Sequence, residues 1–212
     1  MTKNISHLYN DYPSAQTAVA ELKSAGVKEG DISIVASDAE GWYDKNDKSD
    51  KVNHVDIKHD KDRDGVDDRT EGARTGAGIG GVAAGAAGLA AGLGLLAIPG
   101  IGPVVAAGWA ASTLAGVVAG GVAGGAIGAL VESGVSKENA DIYAEVIRRG
   151  GALVIARVSD SDAPRLQSIL DRSGIDLTNR ASAYRAAGWN RFDDTAPPYT
   201  PDQVRKDRDL YR

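Results

Sequence analysis

From Thr75 to Val131 the chain carries no ionisable side chain, although Asp, Glu, Lys and Arg make up 25% of the whole sequence. Apolar surface on that scale must leave water, for lipid, for a second copy or for a protein core. The run divides at Pro99-Gly100-Ile101-Gly102-Pro103, where two prolines interrupt any helix and restrict the residues before them. The division leaves arms of roughly 23 and 28 residues, each long enough at ~1.5 Å per residue to cross a ~30 Å hydrocarbon layer. The pattern predicts a helical hairpin.

Glycine recurs along both arms at four-residue intervals. Gly76, Gly80, Gly88 and Gly92, with Ala84 between them, mark the first arm, and Gly116, Gly120, Gly124 and Gly128 mark the second. Such spacing leaves a flat stripe where another helix approaches closely. In water each glycine costs a helix about 1 kcal/mol relative to alanine, so lipid or tightly packed partner helices must compensate. The expectation is a hairpin inserted from the cytoplasmic face of a membrane. A soluble homo-oligomer with zippers packed between subunits, or a buried core, are the other readings. Arg69 and Arg74 before the first arm, and Lys137, Arg148 and Arg149 after the second, fit both ends in the cytoplasm. Met1 to Ile5 lacks the apolar core of a signal peptide, so secretion by that route is not expected.

Outside the run the pattern is that of an ordinary α/β protein. Residues 1–38 read as strand, helix, strand: Ile5 to Tyr9 alternates, Pro13-Ser14 opens a helix with Ala15, Ala18, Val19 and Leu22 on one face, Gly26 ends it, and Asp31 to Ala36 is the second strand. Residues 39–72 form an acidic linker with isolated aromatics at Trp42 and Tyr43. Residues 73–132 are the glycine-zipper hairpin. In residues 133–190 Ser136 opens a helix with Ala140, Tyr143, Val146 and Ile147 inward. Ala152 to Val158 is a strand, and a helix follows from Asp162 to Gly174. Ala181 to Trp189 offers a weak last strand. Residues 191–212 are a polar tail outside the core, with a capping-box start at Thr200-Pro201-Asp202-Gln203. Together these predict an α+β fold, a split ferredoxin-like α/β sandwich interrupted by the Gly/Ala-rich hairpin.

The order of elements resembles the bacterial general stress (heat-induced stress) protein domain. The resemblance rests on Tyr9-Asn10-Asp11-Tyr12-Pro13-Ser14-Ala15, then Ala20 to Gly26, Asp31 to Val35, and Glu71-Gly72-Ala73 entering the glycine run. It continues through Gly134 to Ala140 and Gly150 to Val154, covering most of residues 4 to 175. It implies an architecture and no catalytic residues, so the expected function is non-enzymatic association with membrane or with itself. A soluble regulatory or ligand-binding module is the alternative.

One motif looks chemical. Asp60, Asp62, Asp64, Gly65, Val66, Asp68 and Glu71 fit D-x-D-x-D-G-x5-E, the spacing that wraps hard oxygen ligands around calcium. Asp60, Asp62 and Asp64 converge, Gly65 permits the turn, Val66 offers a carbonyl, Asp68 binds directly or through water, and Glu71 binds with two oxygens. Asp67 stands where such loops carry an apolar residue, and a solvated acidic linker is the competing reading. Calcium is the one candidate cofactor. Gly76 to Gly81 matches G-x-G-x-x-G but lacks the preceding strand a dinucleotide site needs. There is no cysteine, and the three histidines His7, His54 and His59 supply little for zinc or imidazole chemistry. A formal net charge of −5 argues against nucleic acid as a partner. The partners expected are a lipid bilayer or a second copy; the sequence names no small molecule.

Overall fold

The computed structural model describes residues 1–43, 94–120 and 125–211. Five strands form one fully antiparallel sheet in the order β1-β5-β2-β4-β3. They are β1 (Thr2–Tyr9), β2 (Ile32–Ser37), β3 (Gly94–Ile98), β4 (Gly102–Ala107) and β5 (Ala152–Ser159). Seven helices accompany them among the described residues: α1 (Tyr12–Ser24), α2 (Trp109–Gly120), α3 (Gly125–Glu132), α4 (Ala140–Arg148), α5 (Ala163–Asp171), α6 (Leu177–Ala186) and α7 (Pro201–Leu210). The fold is α+β, as the sequence predicts.

β5 explains how the two ends of the chain meet. Its residues Ala152 to Ala156 are all buried, and it pairs with β1 on one side and β2 on the other. β1 and β2 therefore run parallel to each other with β5 between them. By the same logic β4 and β5 run parallel with β2 between them. Alternation along the strands supplies a different core to each face. Ile5, Tyr9, Ile34, Val154 and Ala156 pack against α1 and α5. Leu8, Val35, Val104, Leu153 and Ile155 pack beneath α2, α3, α4 and α6. The sheet thus carries helices on both faces and a fifth strand, which adds a layer to the predicted two-layer sandwich.

The local signals at α1 work as read. Asp11 caps its start by accepting from the Ser14 N–H at 2.9 Å, and Gly26, at φ +97°, ends it. The Val27 N–H then bonds back to the Leu22 carbonyl at 3.0 Å, closing a Schellman motif.

Three expectations are corrected. The first concerns the helical hairpin: residues 94–107, inside the span expected to be helical, form a β-hairpin, and within the described stretch 94–120 helix begins at Trp109. The Ile101 N–H bonds to the Ile98 carbonyl at 3.1 Å around Pro99 and Gly100, the latter at φ +75°. That is a type II turn, with proline and glycine at their preferred positions. The two prolines that forbid a helix there serve equally well to turn a strand. β-branched Val104 and Val105 then fit the pleated surface beside β2. Second, Ala181 to Trp189 is not a strand. Asp176 caps α6 by accepting from the Asn179 N–H at 3.0 Å, and Tyr184 turns inward. Third, the tail belongs to the core: Val204 on α7 is fully buried, and a side chain at Gly150 would collide with its Cγ1. The helix expected from Ser136 also starts later, at Ala140, after a turn closed by the Asn139 N–H on the Ser136 carbonyl.

Candidate functional site

A cavity of about 560 Å³ runs along the outer edge of β1. Among the described residues β1 pairs only with β5, so its other edge presents a row of main-chain groups. The Ser6 and Leu8 carbonyls point away from β5, and in a strand each residue aims its N–H and C=O to the same side. Thr2, Asn4, Ser6 and Leu8 therefore face the cleft, while Lys3, Ile5, His7 and Tyr9 bond to β5. One end is closed, because the Ile175 N–H donates to the Leu8 carbonyl at 2.8 Å. Gln167 Nε2 reaches the Ser6 carbonyl at a long 3.4 Å. The stretch from Thr2 to Ser6 is the open edge.

Two walls flank it. On the α5 side lie Pro164, Gln167 and Asp171, and on the other lie Gly134, Asn139 and Tyr143. Gly134, at φ +95°, leaves room for Asn4, whose side chain would collide with any Cβ there. His7 is the main titratable group. Its Nδ1 lies 3.1 Å from Asp171 Oδ1, and its Nε2 lies 3.1 Å from the Ile175 carbonyl. Burial pushes the His7 pKa below its ordinary value, outweighing the Asp171 carboxylate and the Ile175 carbonyl, which push it up. Gly174 sits so close over the imidazole that no side chain fits there. Across the sheet, Ser6 Oγ is 3.5 Å from Tyr143 Oη. Burial raises the Tyr143 pKa, so that hydroxyl stays protonated.

The arrangement suits recognition better than bond-making. Ser6 and His7 are neighbours on a strand and project from opposite faces, so the histidine cannot take the serine proton. What the cleft offers an incoming group is a line of main-chain donors and acceptors. Lys3 lies at one end without an ion pair among the described residues, and the half-exposed Asp171 lies at the other.

A second cavity of about 270 Å³ lies where β2 ends, between the start of α1 and α7. Trp42 and Tyr12 stack there with ring centroids 4.2 Å apart, and Trp42 Nε1 donates to the Ser37 carbonyl at 2.7 Å. Trp42, though 37% exposed, is thus held by Tyr12 and Ser37 rather than being an isolated linker aromatic. Arg208 and Arg205 of α7 both pair with Glu40.

The predicted site residues separate cleanly. Asp60, Asp62, Asp64, Val66, Asp68 and Glu71 lie outside the described residues, as do Gly76, Gly80, Gly88, Gly92 and Gly124. Gly116 and Gly120 lie in the last turns of α2, and Gly128 lies in α3. Among the described residues no group of His, Cys, Asp or Glu could hold a metal ion, and no helix is long and apolar enough to cross a membrane. Arg148 and Arg149, read as flanking charges, are internal instead. Glu145, 1% exposed, accepts from Arg149 Nε at 2.6 Å and lies 3.5 Å from Arg148 Nη1. Arg149 also pairs with Asp207 of α7 at 2.8 Å and lies over the Tyr184 ring. Burial opposes the Arg149 charge, but Glu145 and Asp207 more than compensate and hold its pKa above the ordinary value. Sequence reasoning missed the β1 cleft, its one local hint being the lysine at position 3 of the first strand.

No family model matches the chain, and neither curated proteins nor solved structures give a match.

Proposed function

We propose that this chain is a non-enzymatic protein of the general-stress type that works by self-association, with the glycine-rich part of its apolar run packing between copies. The observation that carries this reading is the fate of the rest of that run. Ile98, Ile101, Val104, Ala110, Leu114, Ala126 and Leu130 are all no more than 3% exposed, packed against the sheet and α4. These residues of the run are covered by the chain's own sheet and helices, which supports protein packing as the environment of the glycine-rich remainder. The internal pairing of Arg148 and Arg149 removes two of the charges that favoured a hairpin seated at a cytoplasmic membrane face. The paired β1-α1-β2 and β4-to-β5 connections, each with a strand inserted between its ends, support a variant of the ferredoxin-like arrangement.

Sedimentation of the intact chain, with and without detergent, tests the proposal. It expects one monodisperse oligomer without detergent, dissociated by Gly80→Leu with Gly124→Leu. Co-pelleting with anionic vesicles and release only by detergent would establish the membrane reading in its place. Calcium enters the same proposal as an organiser of residues 60–71. It requires calorimetric heat on calcium addition that Asp62→Ala with Glu71→Ala abolishes.

A further inference from the structure

We propose that the open edge of β1 is a homodimer interface, in which two copies join antiparallel about Asn4 into one continuous ten-stranded sheet. This rests on the self-association reading but places a contact on a different surface from the glycines.

Three observations lead to it. The open stretch runs from Thr2 to Ser6, because Ile175 closes the edge at Leu8. Its midpoint is Asn4, and Asn4 is one of the residues whose N–H and C=O face outward. A two-fold axis through Asn4 sets Asn4 opposite Asn4, and Thr2 of one copy opposite Ser6 of the other. All of these are outward-facing residues, so each facing pair exchanges both of its main-chain hydrogen bonds, with the Ser6 carbonyl sharing or giving up its long 3.4 Å bond from Gln167 Nε2. Had the midpoint fallen on Lys3 or Ile5, the facing groups would already belong to β5.

The charges obey the same symmetry. Lys3 lies near the start of the edge with no ion-pair partner among the described residues, and Asp171 lies beside His7 near its end, 52% exposed. Lys3 and His7 project to the same face of the sheet, the one α5 covers. An antiparallel two-fold brings the start of one edge to the end of the other. Lys3 of each copy then faces Ile5 of its neighbour, one same-face position along the strand from His7 and its Asp171, a diagonal a lysine side chain can span, and this occurs twice over. A parallel pairing would set lysine against lysine. The second copy is thus the occupant whose charge and hydrogen-bond pattern the edge itself dictates, and an unpaired edge otherwise invites less specific pairing.

The absence of cysteine from the sequence makes the register directly readable. Residues facing each other in a hydrogen-bonded antiparallel pair lie about 5.5 Å apart at Cα, a separation a disulfide spans. On mild oxidation of the full chain, Asn4→Cys is expected to give a covalent dimer. Thr2→Cys alone is expected to stay monomeric on a non-reducing gel, and a mixture of Thr2→Cys and Ser6→Cys chains to cross-link. Lys3→Glu should weaken the dimer about tenfold, and Lys3→Glu with Asp171→Lys should recover most of that loss. Asp171→Lys alone, with its thermal melt, controls for the contact to His7. A folded Asn4→Cys chain that does not cross-link, or a Lys3→Glu chain with unchanged dissociation, overturns the proposal. If Gly80→Leu with Gly124→Leu dissociates the oligomer while the β1 variants do not, self-association stands without this interface. If the β1 variants alone dissociate it, the interface stands and the glycine packing falls.

Discussion

At the scale of single residues, the tightest constraint is the carboxylate of Glu145. It is almost wholly buried between two guanidinium groups, and Arg149 continues the chain of charge to Asp207. Removing one member of a buried ion pair leaves its partners charged in a poor solvent, which costs far more than the pair itself contributes. Glu145→Ala is therefore expected to cost about 3 kcal/mol in chemical denaturation, while Asp202→Ala, on the exposed face of α7, changes little. His7 gives a prediction with a sign. Its pKa is lower folded than unfolded, so protonation favours the unfolded chain. The stability tied to the neutral imidazole is complete above about pH 6.5 and falls as pH drops from there towards the folded pKa. Melts of the wild type between about pH 7 and 5 should show this loss, and His7→Gln should flatten it over that window.

At the scale of elements, the junction between β4 and α2 turns on Gly108. Its φ is +83°, and a Cβ there would meet the Ile32 carbonyl oxygen and lie 2.6 Å from Ser33 Oγ. Gly108→Ala combines left-handed strain with a collision against β2, so a loss of about 2 kcal/mol or more is expected by denaturant titration. The β-hairpin itself predicts slow amide exchange. Val105 and Ala107, whose main-chain groups face β2 in register with the Asp38 N–H on the Pro103 carbonyl, should be protected to nearly the global level, whereas Leu95 on β3, 41% exposed, should exchange early. These elements also mark how far the sequence could be read. α1, β2 and β5 were legible because period, cap and terminating glycine all agree at each. Leu95 to Ala107 was not, since apolar residues around a Pro-Gly turn satisfy a broken helix and a hairpin alike. Only the neighbouring β2 decides between them. α6 was misread because Ala181 and Tyr184 alternate loosely with polar residues, and the deciding signal was the Asp176 cap upstream. The cleft was illegible for a different reason: being an edge is a property of the sheet, and nothing local to Thr2–Ser6 reports which strand lies beside it.

At the scale of the whole molecule, α7 ties together parts of the chain that are far apart in sequence. It reaches Arg149 through Asp207, fills the space over Gly150 with Val204, and holds Glu40, just past the end of β2, with Arg205 and Arg208. A chain ending at residue 198 should therefore melt well below the full chain in calorimetry, and Trp42 fluorescence should shift to the red as the cavity beside it opens. The ionic links predict that high salt narrows this difference only slightly, because the Arg149 network is buried beyond easy screening.

The central place of β5 has a consequence during synthesis. β1 and β2 touch through a strand that leaves the ribosome only after the entire apolar run has been made. At roughly 5–20 residues per second, that run stays uncovered on the nascent chain for seconds before the sheet can close over it. Ribosome-bound chains arrested before Ala152 should accordingly be rich in chaperone contacts and prone to aggregate, and those arrested once Ser159 has cleared the exit tunnel should not. For this topology, the interval of greatest exposure in the protein's life falls before its synthesis is complete.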